Sequence, residues 1–171
     1  MTRSPPDTPL LLDVMLGKLA TYLRMCGFDA AYALDREARS ASEQTSGEER
    51  CDDPRGIEAD DALLELARAE DRLLVTRDVA LASRADGLPI YSLNVTDQLR
   101  ELADAGFVLE LSEPARCAEC NGALVAVESG DSTPEYAPDA GEMQVWRCPD
   151  CGQHFWKGSH WESVEETLSA L

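Results

Sequence analysis

A chain of 171 residues with 33 acidic and 15 basic side chains carries a formal charge of −18. That length holds one domain of ordinary size plus a small appendage, and the 44 % hydrophobic content is enough to bury a core without disulfide staples. The same content argues against a disordered acidic chain, and no apolar run is long enough to span a membrane.

The first eight residues, Met1 to Thr8, are polar and proline-containing, unlike a signal peptide, so the expected location is the cytoplasm. Lys18 and Lys157 are the only lysines. An acid-rich, lysine-poor but well-patterned chain suggests solubility in strong salt, as in a halophile, with binding to basic partners as the alternative. Missing basic charge does not exclude RNA, because salt would screen phosphate attraction in any case.

Met1 to Pro9 reads as a frayed tail. Leu10 to Met15 reads as a buried strand with Asp13 at its carboxyl end, and Gly17 to Met25 as a helix stopped by Gly27. Phe28 to Leu34 supplies a second strand, and the polar stretch Arg36 to Gly56, which includes Cys51, reads as a long surface loop. A helix from Ala59 to Ala69 follows, then a strand from Leu73 to Thr76 and a short helix from Val79 to Ala85. Leu88 to Leu93 is the next strand, Thr96 the expected N-cap of a helix from Asp97 to Ala105, and Phe107 to Leu111 a fifth strand. This alternation predicts an α/β fold with a mostly parallel sheet. Residues 9–112 form its body; residues 113–171 hold a ribbon and a closing helix from Trp161 to Leu171.

The ribbon carries two C-x-x-C knuckles, Cys117-Ala118-Glu119-Cys120 and Cys148-Pro149-Asp150-Cys151. Two such pairs supply the four thiolates of a structural zinc site, and Asn121-Gly122 and Gly152 offer the positive-φ positions that knuckles favour. Two disulfides or scattered free thiols are the alternatives. Cys26 falls in an apolar helical pattern and belongs to the core.

In open α/β sheets, ligands gather at the carboxyl ends of the strands. Asp13 and Asp78 stand at two such ends. Asp60 heads the stripe Leu63, Leu64, Ala67, whereas Asp61 is turned about 100° away toward solvent. Asp97 follows a further strand. Converging carboxylates make a hard-oxygen site suited to Mg²⁺ or Mn²⁺, which activate water and hold a phosphate oxygen. Asp60 and Asp97 could equally serve the helix dipole, and Asp78 a turn. A serine nucleophile lacks partners, since both histidines, His154 and His160, lie in or beyond the ribbon.

Leu12-Asp13-Val14-Met15-Leu16-Gly17-Lys18-Leu19-Ala20 with Tyr22-Leu23-Arg24 and Gly27-Phe28-Asp29 resembles the opening of the Mut-seven C-terminal ribonuclease family. Asp60-x-x-Leu63-Leu64-x-x-Ala67, Thr76-Arg77-Asp78 and Gln98-Leu99 resemble its next blocks. The two knuckles and Phe155-Trp156-Lys157-Gly158-Ser159-His160-Trp161 resemble its ribbon and tail. The resemblance implies a PIN-like three-layer α/β sandwich with a structural zinc ribbon, cleaving RNA, single-stranded by expectation, with Mg²⁺ or Mn²⁺. It assigns catalysis to Asp13, Asp60, Asp78 and, as a weaker match, Asp97. Lys18, Arg24 and Arg77 are then candidate substrate contacts; the plainer role for Arg24 and Arg77 is to pair with the acids.

Phe155, Trp156 and Trp161 place three of the chain's ten aromatic residues within seven positions, with Lys157 and His160 among them. They either pack the ribbon onto the body or form a base-stacking platform for RNA. Two functions stay open: a ribonuclease, or a non-catalytic RNA- or ribosome-associated zinc-ribbon protein whose acids are structural.

Overall fold

The computed structural model describes residues 2–5, 7–35 and 60–171. The proposed surface loop from Arg36 to Gly56, with Cys51, lies outside the described residues. Four short parallel strands, β1 (Leu10–Leu12), β2 (Ala30–Tyr32), β3 (Leu73–Thr76) and β4 (Leu88–Pro89), form one sheet in the order β2-β1-β3-β4. Its helices are α1 (Gly17–Met25), α2 (Asp60–Ala69), α3 (Val79–Arg84) and α4 (Val95–Asp104).

Strand alternation sorts the core onto two faces. Leu10 and Leu12 pack with Leu19, Ala20 and Leu23 of α1 and with Leu99 and Leu102 of α4. Leu11 and Leu74 face the other way, onto Leu63, Leu64 and Ala67 of α2 and Leu81 of α3. Helices therefore cover both faces, which is why β1 reads as unbroken leucine rather than an alternating pattern. Cys26 is buried in the first of these clusters, as expected.

Four expectations are corrected at the edges. Phe107 to Leu111 does not form a fifth strand; Phe107 makes only an isolated parallel bridge to Arg3. The start of the chain is correspondingly not frayed. Arg3 donates its amide to the Gly106 carbonyl at 2.7 Å and accepts from the Val108 amide at 2.9 Å, while its guanidinium lies 5.3 Å from the Phe107 ring centre. Strand β4 ends at Pro89, and the N-cap of α4 is Asn94, not Thr96: its side chain accepts from the Asp97 amide, which starts the helix two residues early.

A second, antiparallel sheet contains β5 (Val125–Ala126), β6 (Val145–Arg147) and β7 (His154–Trp156), and α5 (Ser159–Ser169) closes the chain. Among the described residues no helix is long and apolar enough to cross a membrane.

Candidate functional site

The sheet order places β2 and β3 on opposite sides of β1, so the chain switches direction between β1 and β3. A crevice at the carboxyl ends of the strands is expected at such a switch. Asp13 follows β1 and Asp78 follows β3, on its two sides. The Asp13 amide continues the ladder by donating to the Val75 carbonyl at 3.1 Å, and its buried side chain is held by Thr76, whose hydroxyl donates to Oδ2 at 2.7 Å. The same hydroxyl accepts from the Asp78 amide at 3.0 Å. One buried threonine thus links the Asp13 carboxylate to the Asp78 backbone, and its role carries no signal in sequence beyond lying two residues before Asp78.

Asp78 also caps α3, its Oδ1 accepting from the Leu81 amide at 2.9 Å. Between Thr76 and Asp78 in the chain stands Arg77, whose Nε is buried and without a hydrogen-bond partner. It is the one buried side-chain nitrogen or oxygen among the described residues left in that state.

The other two acids are further engaged. Asp60 is less exposed than Asp61, 56 % against 84 %, in the order that helical phase predicts. It is nevertheless not a core-facing acid, because the first turn of α2 carries it clear of the buried stripe; Arg84 lies 3.9 Å from it and 2.5 Å from Asp61. Asp97 pairs with Arg100 at 2.6 Å and also accepts from the Asn94 amide group. Hydrogen bonds from Asn94 and Arg100 hold its carboxyl below the usual range. Asp13, Asp60, Asp78 and Asp97 do not meet as a set of three or more within 4.8 Å.

Among the described residues, the set that does so is Cys117, Cys120, Cys148 and Cys151. Cys117 Sγ lies 3.6 Å from Cys151 Sγ, and Cys120 Sγ 3.5 Å from Cys148 Sγ. Disulfides, at about 2.05 Å, are ruled out. A tetrahedron with Zn–S bonds of about 2.3 Å has edges of about 3.8 Å, so the spacing is consistent with zinc. Each knuckle closes through matched amide bonds, Asn121 N to Cys117 O and Gly152 N to Cys148 O, both 2.9 Å. Asn121 and Gly152 take the positive-φ positions, at 67° and 79°. Gly122 does not; it is small for another reason, since a Cβ there would stand 3.0 Å from Cys148 Sγ.

The knuckle is tied to the parallel sheet at the start of β2. Asn121 donates to Asp29 Oδ1 at 2.7 Å and accepts from the Ala30 amide at 3.0 Å. Arg72 binds the same Asp29 carboxylate at 2.8 Å, and Arg116 approaches to 3.7 Å. Burial alone would raise the Asp29 carboxyl, but the Arg72 and Asn121 hydrogen bonds prevail and hold it below its ordinary value. Arg24, only 3 % exposed, donates to the Ala30, Ala118 and Glu119 carbonyls and pairs with Asp35 at 2.7 Å. It does not pair with Asp13, Asp60 or Asp78. These ties surround a polar cavity of about 220 Å³.

Lys18 is exposed near the start of α1. Lys157 lies over the Trp161 ring at 5.3 Å, and His160 is exposed. Phe155, Trp156 and Trp161 line an apolar cleft of about 110 Å³ with Thr21 and Met25 of α1. The aromatic stretch therefore meets the outer half of α1, apart from the ends of β1 and β3 where Asp13 and Asp78 stand.

The family model described as the Mut7-C RNAse domain matches residues 8–168. No curated protein and no solved structure matches the chain.

Proposed function

The chain belongs to the Mut7-C RNAse domain family, and on that premise we propose that it is a metal-dependent ribonuclease hydrolysing RNA phosphodiester bonds beside Asp13 and Asp78. The observation that supports this reading is that Asp13 and Asp78 follow the two strands at the switch point of the sheet, with the Thr76 hydroxyl bonding the Asp13 carboxylate and the Asp78 backbone amide. Their donor set is oxygen only, with no lysine among them, which suits a hard cation. Magnesium or manganese bound there would supply Lewis acidity and an activated water. Thr76 fixes the Asp13 carboxylate in orientation, and the Arg77 guanidinium, next to Asp78 in the chain, is assigned the phosphate contact. Asp60 and Asp97 are assigned outer roles at the same site, released from Arg84 and Arg100 when substrate and cation are present. Of the remaining basic candidates, Lys18, Lys157 and His160 are exposed enough to meet RNA. Arg24 is assigned instead to holding the ribbon.

In the same reading residues 9–112 are a PIN-like body and residues 113–171 a ribbon with its helix. The four thiolates hold zinc as a structural ion, since a four-thiolate site leaves no open position for water. The substrate is single-stranded RNA and the setting a salt-rich cytoplasm.

A second reading is favoured by one observation. Asp78 caps α3 and Asp97 pairs with Arg100 within the first turns of α4, so the acids could be structural in a non-catalytic RNA-binding protein. Cleavage of a labelled single-stranded RNA with Mn²⁺ separates the two. The nuclease reading expects cleavage that chelation abolishes; RNA binding without cleavage supports the alternative.

A further inference from the structure

The turn between β4 and α4 is held more tightly than a surface turn requires. Tyr91 and Ser92 both donate their amides to the Glu101 carboxylate, each at 2.8 Å. The buried Gln98 side chain donates to the Ser92 carbonyl at 3.0 Å, and Asn94 caps α4. The preceding Ile90 is buried and donates its amide to the Thr76 carbonyl at 2.8 Å. Two side chains of α4, Glu101 and Gln98, are thus spent on fixing Tyr91 and Ser92. What they fix outward is apolar: Tyr91 is 67 % exposed and Leu93 78 %.

This turn stands on the carboxyl rim of the sheet, beside the acids. Thr76, which receives the Ile90 amide, is the residue that binds Asp13. Strand β4 is two strand spacings from β1 and Pro89 continues Asp13's row, about 10 Å across the sheet, with Tyr91 two residues beyond it. Met15 and Val79, which follow β1 and β3, are also exposed on that rim. A rigidly presented aromatic ring is a low-entropy contact surface. In a chain of charge −18, attraction for RNA that does not depend on phosphate charge is at a premium, and base stacking supplies it. A protein partner seated on the same rim would cover Asp13 and Asp78.

We propose that Tyr91, with Leu93 beside it, is the stacking platform for an unpaired base of RNA whose backbone runs across Asp13 and Asp78. This rests on the ribonuclease reading and adds to it the reason for a single-stranded substrate, since a duplex keeps its base faces stacked. Tyr91 is a substrate-positioning residue; it holds the strand in place and takes no part in the chemistry.

The test measures binding of a short fluorescent oligoadenylate by the full chain, in an Asp13→Asn background so that the RNA survives, together with melting temperature and sedimentation. Tyr91→Ala is expected to weaken binding about tenfold or more, Tyr91→Phe to stay within about twofold, and both to melt as the parent does. A blunt RNA duplex should bind the parent and Tyr91→Ala alike. Unchanged oligoadenylate affinity in Tyr91→Ala overturns the platform. So does an equal loss in Tyr91→Phe, which would make the hydroxyl the contact, or a parent that self-associates through this rim and is made monomeric by Tyr91→Ala. Failure of the nuclease reading shows differently: the parent would not cleave the RNA in Mn²⁺ while Tyr91→Ala still lost affinity.

Discussion

Thr76 gives the residue scale its clearest test. Its hydroxyl bonds both the Asp13 carboxylate and the Asp78 backbone amide, and the residue is fully buried. Thr76→Val keeps the shape but leaves the buried Asp13 carboxylate short of a donor, at a cost of about 1–3 kcal/mol. Thr76→Ser restores the hydroxyl. Melting and cleavage should both fall in the valine variant and largely recover in the serine variant; equal behaviour of the two would remove Thr76 from the account. Asp29 is a second residue with a definite sign. Its folded carboxyl is held below its ordinary value, so the stability it contributes is complete above the unfolded pKa of about 3.9 and is lost as pH falls through the lower folded value. Melting of the parent and Asp29→Asn should differ at pH 6 and converge toward pH 2. A gap that persists at low pH contradicts the assignment.

At the scale of elements, side chains of Asp29, Asn121, Arg116 and the buried Arg24 tie the ribbon to the parallel sheet. Arg24 reaches from α1 to two carbonyls of the first knuckle. Arg24→Ala removes a buried guanidinium and strands the carbonyls it serves, which should cost about 1–3 kcal/mol. Chelation should have a related effect, because a knuckle without its ion loses the geometry that offers those carbonyls. Metal analysis of the purified chain is expected to find one zinc, unchanged by Cys26→Ala and lost with Cys148→Ala. Zinc retained in Cys148→Ala would exclude the four-thiolate site. The sequence made the knuckles legible because C-x-x-C is a local pattern. It did not reveal Asn121 as the residue that both turns the chain and docks it, since that role depends on Asp29, 92 positions away. Strand ends were misjudged for the same kind of reason. Leu88 to Leu93 has strand composition throughout, but Glu101 and Gln98 pull its second half into a turn. Phe107 looked like a strand residue and instead pins Arg3. The candidate acids were visible as strand-end residues. Which of them Thr76 joins, and that Arg84 and Arg100 engage the others, needed the packed chain.

For the whole molecule, a charge of −18 on 171 residues sets the terms. Self-repulsion of that size opposes the compact state and is screened over about 10 Å at 0.1 M salt and about 3 Å at 1 M. Melting temperature should therefore rise steadily between 0.1 and 2 M KCl. A flat or falling profile would set aside the salt-adapted reading without touching the fold. RNA affinity should fall with salt less steeply than phosphate contacts alone would give, because stacking survives screening.

The account's central claim is that Asp13 and Asp78 together make a cleavage site. It is tested most directly by the single-turnover rate of RNA cleavage in Mn²⁺ for the parent, Asp13→Asn and Asp78→Asn, with RNA affinity and melting measured on the same samples. The predicted result is a loss of about a thousandfold or more in each variant, with affinity and melting close to the parent's. Cleavage at the parent's rate in either variant would contradict it.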